Sequence, residues 1–275
     1  GWSTVPGVSH RSTDGRRGAA GAMSDPGYLV AAAGTIIMTI WRGQGRTHKG
    51  RRPANEDTLV CRDGDGLWAV IDGMGGHDAG DLAATIIRES LDAVTLGGSI
   101  AHRLLAVESA LLTANHAIRH HAALHLRSKP MGATVVVLLI YRDEAAVLWA
   151  GDARLYRHTD QGTVLLTRDH TPVQALVDAG EIDERQAMTH PRAHVIYQAI
   201  GNGDKLELDQ ARFDISAQQQ FLLTSDGVHS VLTVDQLGQL MAEGASESVI
   251  LKAALNAGSK DNVTAVKVSA VGHGE

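Results

Sequence analysis

The stretch Trp68-Ala69-Val70-Ile71-Asp72-Gly73-Met74-Gly75-Gly76-His77-Asp78-Ala79-Gly80 decides how the rest of the chain is read. Leu67 to Ile71 is a short apolar run with strand character, too brief for a helix. It ends on Asp72, and glycines at 73, 75 and 76 free the backbone for a tight turn that other groups can approach closely. Past the turn, apolar residues at 82, 86, 87, 91 and 94 predict an amphipathic helix over Asp81 to Val94. A carboxylate at the end of a buried strand, followed by glycines, suits a metal or a phosphate. One reading is a dinucleotide loop, because Gly73-Met74-Gly75 between strand and helix imitates the start of Gly-x-Gly-x-x-Gly. Its sixth position, however, is Asp78, and Asp72 would set a negative charge beside a pyrophosphate. The other reading makes Asp72 a metal ligand and requires partner carboxylates elsewhere.

Those partners stand in short settings of their own. Asn55-Glu56-Asp57 lies upstream, behind Arg52. Gly151-Asp152-Ala153-Arg154 follows a strand-like run, and Thr224-Ser225-Asp226-Gly227-Val228 follows Phe221-Leu222-Leu223. Lys260-Asp261-Asn262-Val263-Thr264 opens the last strand. With Gly132-Ala133-Thr134 before a β-branched run, this ordered set resembles the PPM (PP2C-type) metal-dependent protein serine/threonine phosphatases, bacterial branch, over about Thr47 to Val268.

The resemblance implies an α+β fold, an α-β-β-α sandwich of two antiparallel sheets flanked by helices. It implies hydrolysis of phosphoserine and phosphothreonine in proteins by a water bridging two Mg²⁺ or Mn²⁺ ions, with a weaker third ion in bacterial members. Two such ions, about 3.5–4 Å apart, lower the pKa of a water and stabilise the displacement. Oxygen ligands with few histidines suit these hard cations. By resemblance Asp72 bridges both ions and the Gly73 carbonyl binds one. Asp226 and Asp261 complete the two sites, Glu56 and Asp57 act largely through bound waters, and Asp152 joins Asp226 at the third ion. Arg52 clamps the substrate phosphate, and Asn262 orients a water. Where many eukaryotic relatives carry a histidine to protonate the leaving alkoxide, this chain has Met74, which has no proton to give. Tyr197-Gln198 stands where relatives often carry Thr-Arg, in a flap expected at about residues 170–198.

Composition narrows the alternatives. The chain has 275 residues, and a net charge of −6 argues against a general nucleic-acid binder. The single cysteine, Cys61, excludes an intramolecular disulfide framework and fits a reducing, cytoplasmic setting. It is no phosphatase nucleophile either, since Cys-x5-Arg would need arginine at Leu67. The Asp63-Gly64-Asp65-Gly66 turn is not a calcium loop, whose first ligand would fall on Cys61. Histidines 102, 116, 120, 121 and 125 lie on a long predicted helix, Ile100 to Leu126, without the His-Glu-x-x-His pattern, and read as solvated.

Residues 1–34 read as a disordered extension rich in Gly, Ser, Arg and Ala, and 35–275 as one phosphatase domain. Tyr28 to Ile40 is too short to span a membrane; a first strand over Ile36 to Arg42, with Met38 near a true start, is the preferred reading. Thr171-Pro172 predicts a helix start, and Asp183 with Gln186 and Thr233 with Gln236 predict capping boxes. The expected partners are phosphorylated proteins, substrates of a serine/threonine kinase, acted on by a monomer. A binding module that keeps the fold but has lost catalysis, a pseudophosphatase, is the competing class, and its mark would be missing carboxylates.

Overall fold

The structure is a computed structural model, and it describes residues 39–76, 78–126, 131–203 and 205–271. The expectations for the extension at 1–34, for most of the apolar run from Tyr28 and for Met38 lie outside the described residues.

The period-2 pattern of the strands accounts for the layers. Strands β2 (Asp57–Arg62), β3 (Leu67–Met74), β4 (Gly132–Tyr141), β5 (Glu144–Ala150) and β8 (Asp209–Asp214) pair antiparallel in the order β2-β3-β4-β5-β8. Strands β1 (Ile40–His48), β6 (Arg154–Thr159), β7 (Gly162–Leu165), β9 (Gln220–Thr224) and β10 (Val263–Val271) form the second antiparallel sheet, in the order β1-β10-β9-β6-β7. Along β4, Val135, Val137 and Leu139 face helices α1 (Asp78–Ala93) and α2 (Ile100–His125), while Val136, Leu138 and Ile140 face the other sheet. Both faces are dry, which is why β4 is apolar throughout its length. The second sheet covers its outer face with Leu222, Val263 and Ala265 against α6 (Val234–Ala242), α7 (Glu247–Asn256) and the short α5 (Asp226–His229). Helix, sheet, sheet, helix is therefore the observed order of layers.

Local signals set the helix ends. Ser99, Thr171, Thr233 and Ser246 each accept the N–H three residues on, and the boxes at Asp183/Gln186 and Thr233/Gln236 are both present. The first strand differs from expectation: it runs from Ile40 to His48, well past Arg42. Most of its side chains are exposed, so nothing in its composition marks it; pairing with β10 from Ile40↔Val271 to His48↔Val263 creates it. Its exposed Arg42 and Arg46 lie on a strand at the edge of its sheet, where charge discourages further pairing. No helix among the described residues is long and apolar enough to cross a membrane.

Trp68 is central to the packing between the sheets. It is fully buried, its Nε1–H donates to Asp63 Oδ1 at 2.8 Å, and the Gly43 N–H donates to the same oxygen at 2.9 Å. A Cβ at Gly43 would stand 2.1 Å from Trp68 Nε1, so β1 needs glycine there to lie against the ring. Trp68→Ala is expected to cost about 3–5 kcal/mol of stability, read as a lowered urea midpoint.

Candidate active site

Antiparallel pairing brings the same end of six strands together. Asp72 lies two residues before the end of β3, Thr134 and Asp57 sit at or near the starts of β4 and β2, and Gly151-Asp152 follows β5. From the other sheet, Asp226 follows β9 and Asp261-Asn262 precede β10. The result is a cavity of about 720 Å³ lined by Arg52, Glu56, Asp72, Gly73, Asp152, Asp226 and Asp261 among others, within the ~300–1,000 Å³ range of ligand clefts.

Close backbone approaches shape it. A Cβ on Gly73 would meet Gly80 O at 2.3 Å and Glu56 O at 2.7 Å, and the Gly73 N–H donates to Glu56 O at 3.1 Å. A Cβ on Gly227 would stand 1.8 Å from Asn262 O, so glycine after Asp226 lets α5 abut the Asp261 turn. Asn262 staples the Arg52 loop: its Oδ1 accepts the Glu56 N–H at 2.8 Å, and its Nδ2 donates to Lys49 O and Ala54 O, both at 2.9 Å. Both amide hydrogens are spent on the backbone, so Asn262 positions the loop instead of donating to a water. Arg52, 57% exposed at its side chain, donates from Nη2 to Asp261 Oδ2 at 2.6 Å.

Asp57 is placed differently from the other candidates. It is buried and is not part of the cavity lining; its Oδ2 accepts from Ser225 Oγ at 2.7 Å and Thr264 Oγ1 at 2.6 Å, linking the two sheets. Its Oδ1 is buried and has no protein partner, as is the Thr134 hydroxyl on the cavity wall.

Two residues that carry no sequence motif hold the Asp152 turn. His170 accepts the Gly151 N–H on Nδ1 at 3.1 Å and returns its own N–H to Gly151 O at 2.9 Å. Asp169 takes the Arg154 guanidinium through Nε and Nη2, at 2.9 and 2.7 Å. His170 also anchors both ends of the segment from 171 to 197. Thr171 next to it caps α3 (Pro172–Asp178), which precedes α4 (Glu184–Met188), and the Tyr197 N–H donates to His170 O at 3.0 Å. Asp169-His170 lies in an ordinary polar turn, and only its placement across from residues 151–154 gives it meaning. The helix α2 histidines stand apart from all this; 102, 116, 120 and 125 are exposed.

The electrostatics are those of negative charge collected where water is scarce: Asp57 and Asp152 are buried, and Asp72, Asp226 and Asp261 are half-buried. Burial, then Asp57, Asp226, Asp152 and Asp261, hold the Asp72 carboxyl well above the carboxylate range. Burial and Asp226 do the same to Asp152. Burial pushes Asp57 up to about 7, against the pull of Thr264 and Ser225. Asp226 reaches about 6 through burial and Asp261, offset by His194, by a contact with Asp72 and by Arg52. Among the described residues no three His, Cys, Asp or Glu side chains cage an ion unaided; the carboxylates ring the cavity. Their chemistry nevertheless fits divalent cations that keep water ligands: an all-oxygen donor set, repelling itself, with unpartnered oxygens on Asp57 and Thr134 beside it.

These shifts fix a sign. Each raised carboxyl binds its proton more tightly folded than unfolded, so its stabilising contribution is complete below about pH 4 and is lost as pH rises through its folded value, about 7 for Asp57 and about 6 for Asp226. Chelator-treated protein should therefore melt at lower temperature at pH 8 than at pH 5, each pKa unit being worth about 1.4 kcal/mol. Divalent cation should restore the most at pH 8. A flat melting profile without cation would contradict the electrostatic picture.

Comparison with known proteins agrees with this geometry. Residues 44–176 match the family model for protein phosphatase 2C. Serine/threonine protein phosphatase PstP of Mycobacterium tuberculosis is 30% identical over 242 residues, which cover 86% of this chain and 46% of PstP. The chain thus spans about half the length of that relative. The solved structure of PppA, described as a key regulatory component of T6SS in Pseudomonas aeruginosa, is 33% identical with a TM-score of 0.78, over 85% of this chain and 99% of that one. The catalytic domain of PstP in complex with two manganese ions is 28% identical with a TM-score of 0.74, over 85% and 100%. Sequence, layer order and matched chain length together make this protein a member of the protein phosphatase 2C family, on its bacterial branch.

Proposed function

We propose that this chain hydrolyses phosphoserine and phosphothreonine in proteins, with divalent cations held by Asp72, the Gly73 carbonyl, Asp226 and Asp261. The observation that carries this is the convergence of Arg52 and four aspartates, from separate parts of the chain, on one cavity. When bound, Mg²⁺ or Mn²⁺ supplies an activated water and neutralises phosphoryl oxygens; the manganese in the PstP catalytic domain favours Mn²⁺ as the first ion to try.

The chain's own residues do the rest. Asp72, Asp226 and Asp261 fix where the positive charge sits, and Asp152 with Asp226 offers a further position beside it. Glu56, packed against Gly80, lines the cavity and acts through water. Asp57 acts at one remove, its bonds to Ser225 and Thr264 holding the strand ends that carry Asp226 and Asp261. Arg52 presents up to five N–H donors on an exposed loop; Asp261 takes one and orients the fork for a phosphate. Apolar neighbours Met74, Pro53 and Ile196 limit water around it. Met74 transfers no proton, so the leaving alkoxide takes one from water at the cavity mouth, and esters with good leaving groups should react fastest. The natural substrates would be targets of a serine/threonine kinase, met by a monomer in the cytoplasm, and the flap at about 170–198 would sort among them. The binding-module alternative has no missing carboxylate to support it.

The test is p-nitrophenyl phosphate hydrolysis with Mn²⁺, with Mg²⁺ and with chelator. Turnover should need the cation and fall at least about 10²–10³-fold in Asp226→Asn and in Asp261→Asn, the scale seen when one preorganised electrostatic group is removed. Near-normal activity in both variants would overturn the site assignment.

A further inference from the structure

Beside the main cavity lies a second hollow of about 240 Å³, below the roughly 300–1,000 Å³ of clefts that take whole small molecules. It is bordered by α3 and α4 on one side and by the α5–α6 segment on the other. The two hollows meet along one wall, because Asp152, His194 and Asp226 line both. His194 stands at that junction, its side chain 78% exposed and its Nδ1 3.9 Å from Asp226 Oδ2.

The chemistry of the second hollow is not that of an anion site. Arg154 is already paired with Asp169, and Arg168 with Asp178. Arg185 also lines the hollow, but beside Glu184 on the same short helix and with Asp235 in the same lining. Between these polar groups runs an apolar wall of Leu165, Val173, Val177, Met188, Leu232 and Val234. The flap helices are short, seven and five residues, and bury almost nothing: Val173 is the buried residue of α3, and α4 has none. Val177 and Met188, from different helices, are left half-covered over a space that the described chain does not fill. Apolar side chains held this way gain free energy from any apolar group that enters.

From this continuity we infer that the second hollow is a subsite for one apolar side chain flanking the phosphoresidue of the substrate protein. The inference rests on the phosphatase reading of the main cavity. An extended segment with its phosphate at Arg52 and Asp72 passes the shared wall at His194 and lowers a neighbouring side chain between α3 and α4. Binding energy from this remote contact then serves the reaction of peptides, while a small aryl ester does not reach it.

The experiment compares phosphoserine peptides carrying leucine, alanine, aspartate or lysine at each flanking position in turn, with p-nitrophenyl phosphate alongside. The enzymes are the unmodified chain, Val177→Glu and Met188→Glu, two half-exposed flap positions whose substitution leaves the core intact. At one position leucine should exceed alanine in kcat/KM by about tenfold or more, in line with the roughly 10–200-fold that hydrophobic pockets give per methylene. Both variants should lose that preference and keep unmodified turnover of the aryl ester. Equal use of leucine and alanine peptides, a preference for a charged flank, or a leucine preference that survives in both variants overturns the subsite while the phosphatase reading stands. Failure of the unmodified chain to hydrolyse either kind of substrate overturns that reading and the subsite with it.

Discussion

The constraint on which the rest depends is the burial of like charge. Asp57, Asp72, Asp152, Asp226 and Asp261 influence one another at the end of a sandwich whose interior is dry. An ionised carboxylate out of water is costly unless paired, and several together are costlier still. A chain seeking only stability would replace some of them with apolar residues. Keeping them makes sense for a fold completed by cations, which would offset the burial and mutual repulsion that raise their proton affinities.

The architecture serves this constraint. Two antiparallel sheets place the relevant strand ends on one side of the molecule, so that single residues from distant chain positions share a cavity without long loops. Packing makes the frame stiff: both faces of β4 are covered, and Trp68 fills the space between the sheets. Polar braces then aim the functional groups. Asp57 joins the sheets through Ser225 and Thr264, Asn262 fixes the Arg52 loop, and Asp169 with His170 grips the Asp152 turn. Because His170 also holds both ends of the 171–197 segment, that segment and the Asp152 turn share one anchor.

Much of this was legible in the sequence where the signal was local. The turn at Asp63-Gly64-Asp65-Gly66, the cap at Thr171 and the two capping boxes are encoded within a few residues, and each is present. The layer order came from family resemblance, since a strand pattern does not say which strands meet. Long-range pairing was opaque. The edge strand β1 has few buried side chains and extends to His48 only because β10 lies beside it. The partners of Asp57 are 168 and 207 residues away, so nothing near it shows that its carboxylate ties sheets together. Asp169 and His170 were missed for the same reason, as was the use of both Asn262 amide hydrogens on the loop.

The chain shares its fold and motif order with bacterial relatives, while covering about half the length of PstP. At the mouth of the site stand Met74, His194 and half-covered apolar residues of α3 and α4. The central claim, that the converging carboxylates are a cation site, is tested most directly by anomalous X-ray scattering from crystals grown with Mn²⁺. The account predicts manganese peaks inside the cavity, in contact with Asp72, Asp226 and Asp261. An ordered cavity without manganese, its carboxylates paired with one another or with Arg52, would contradict it.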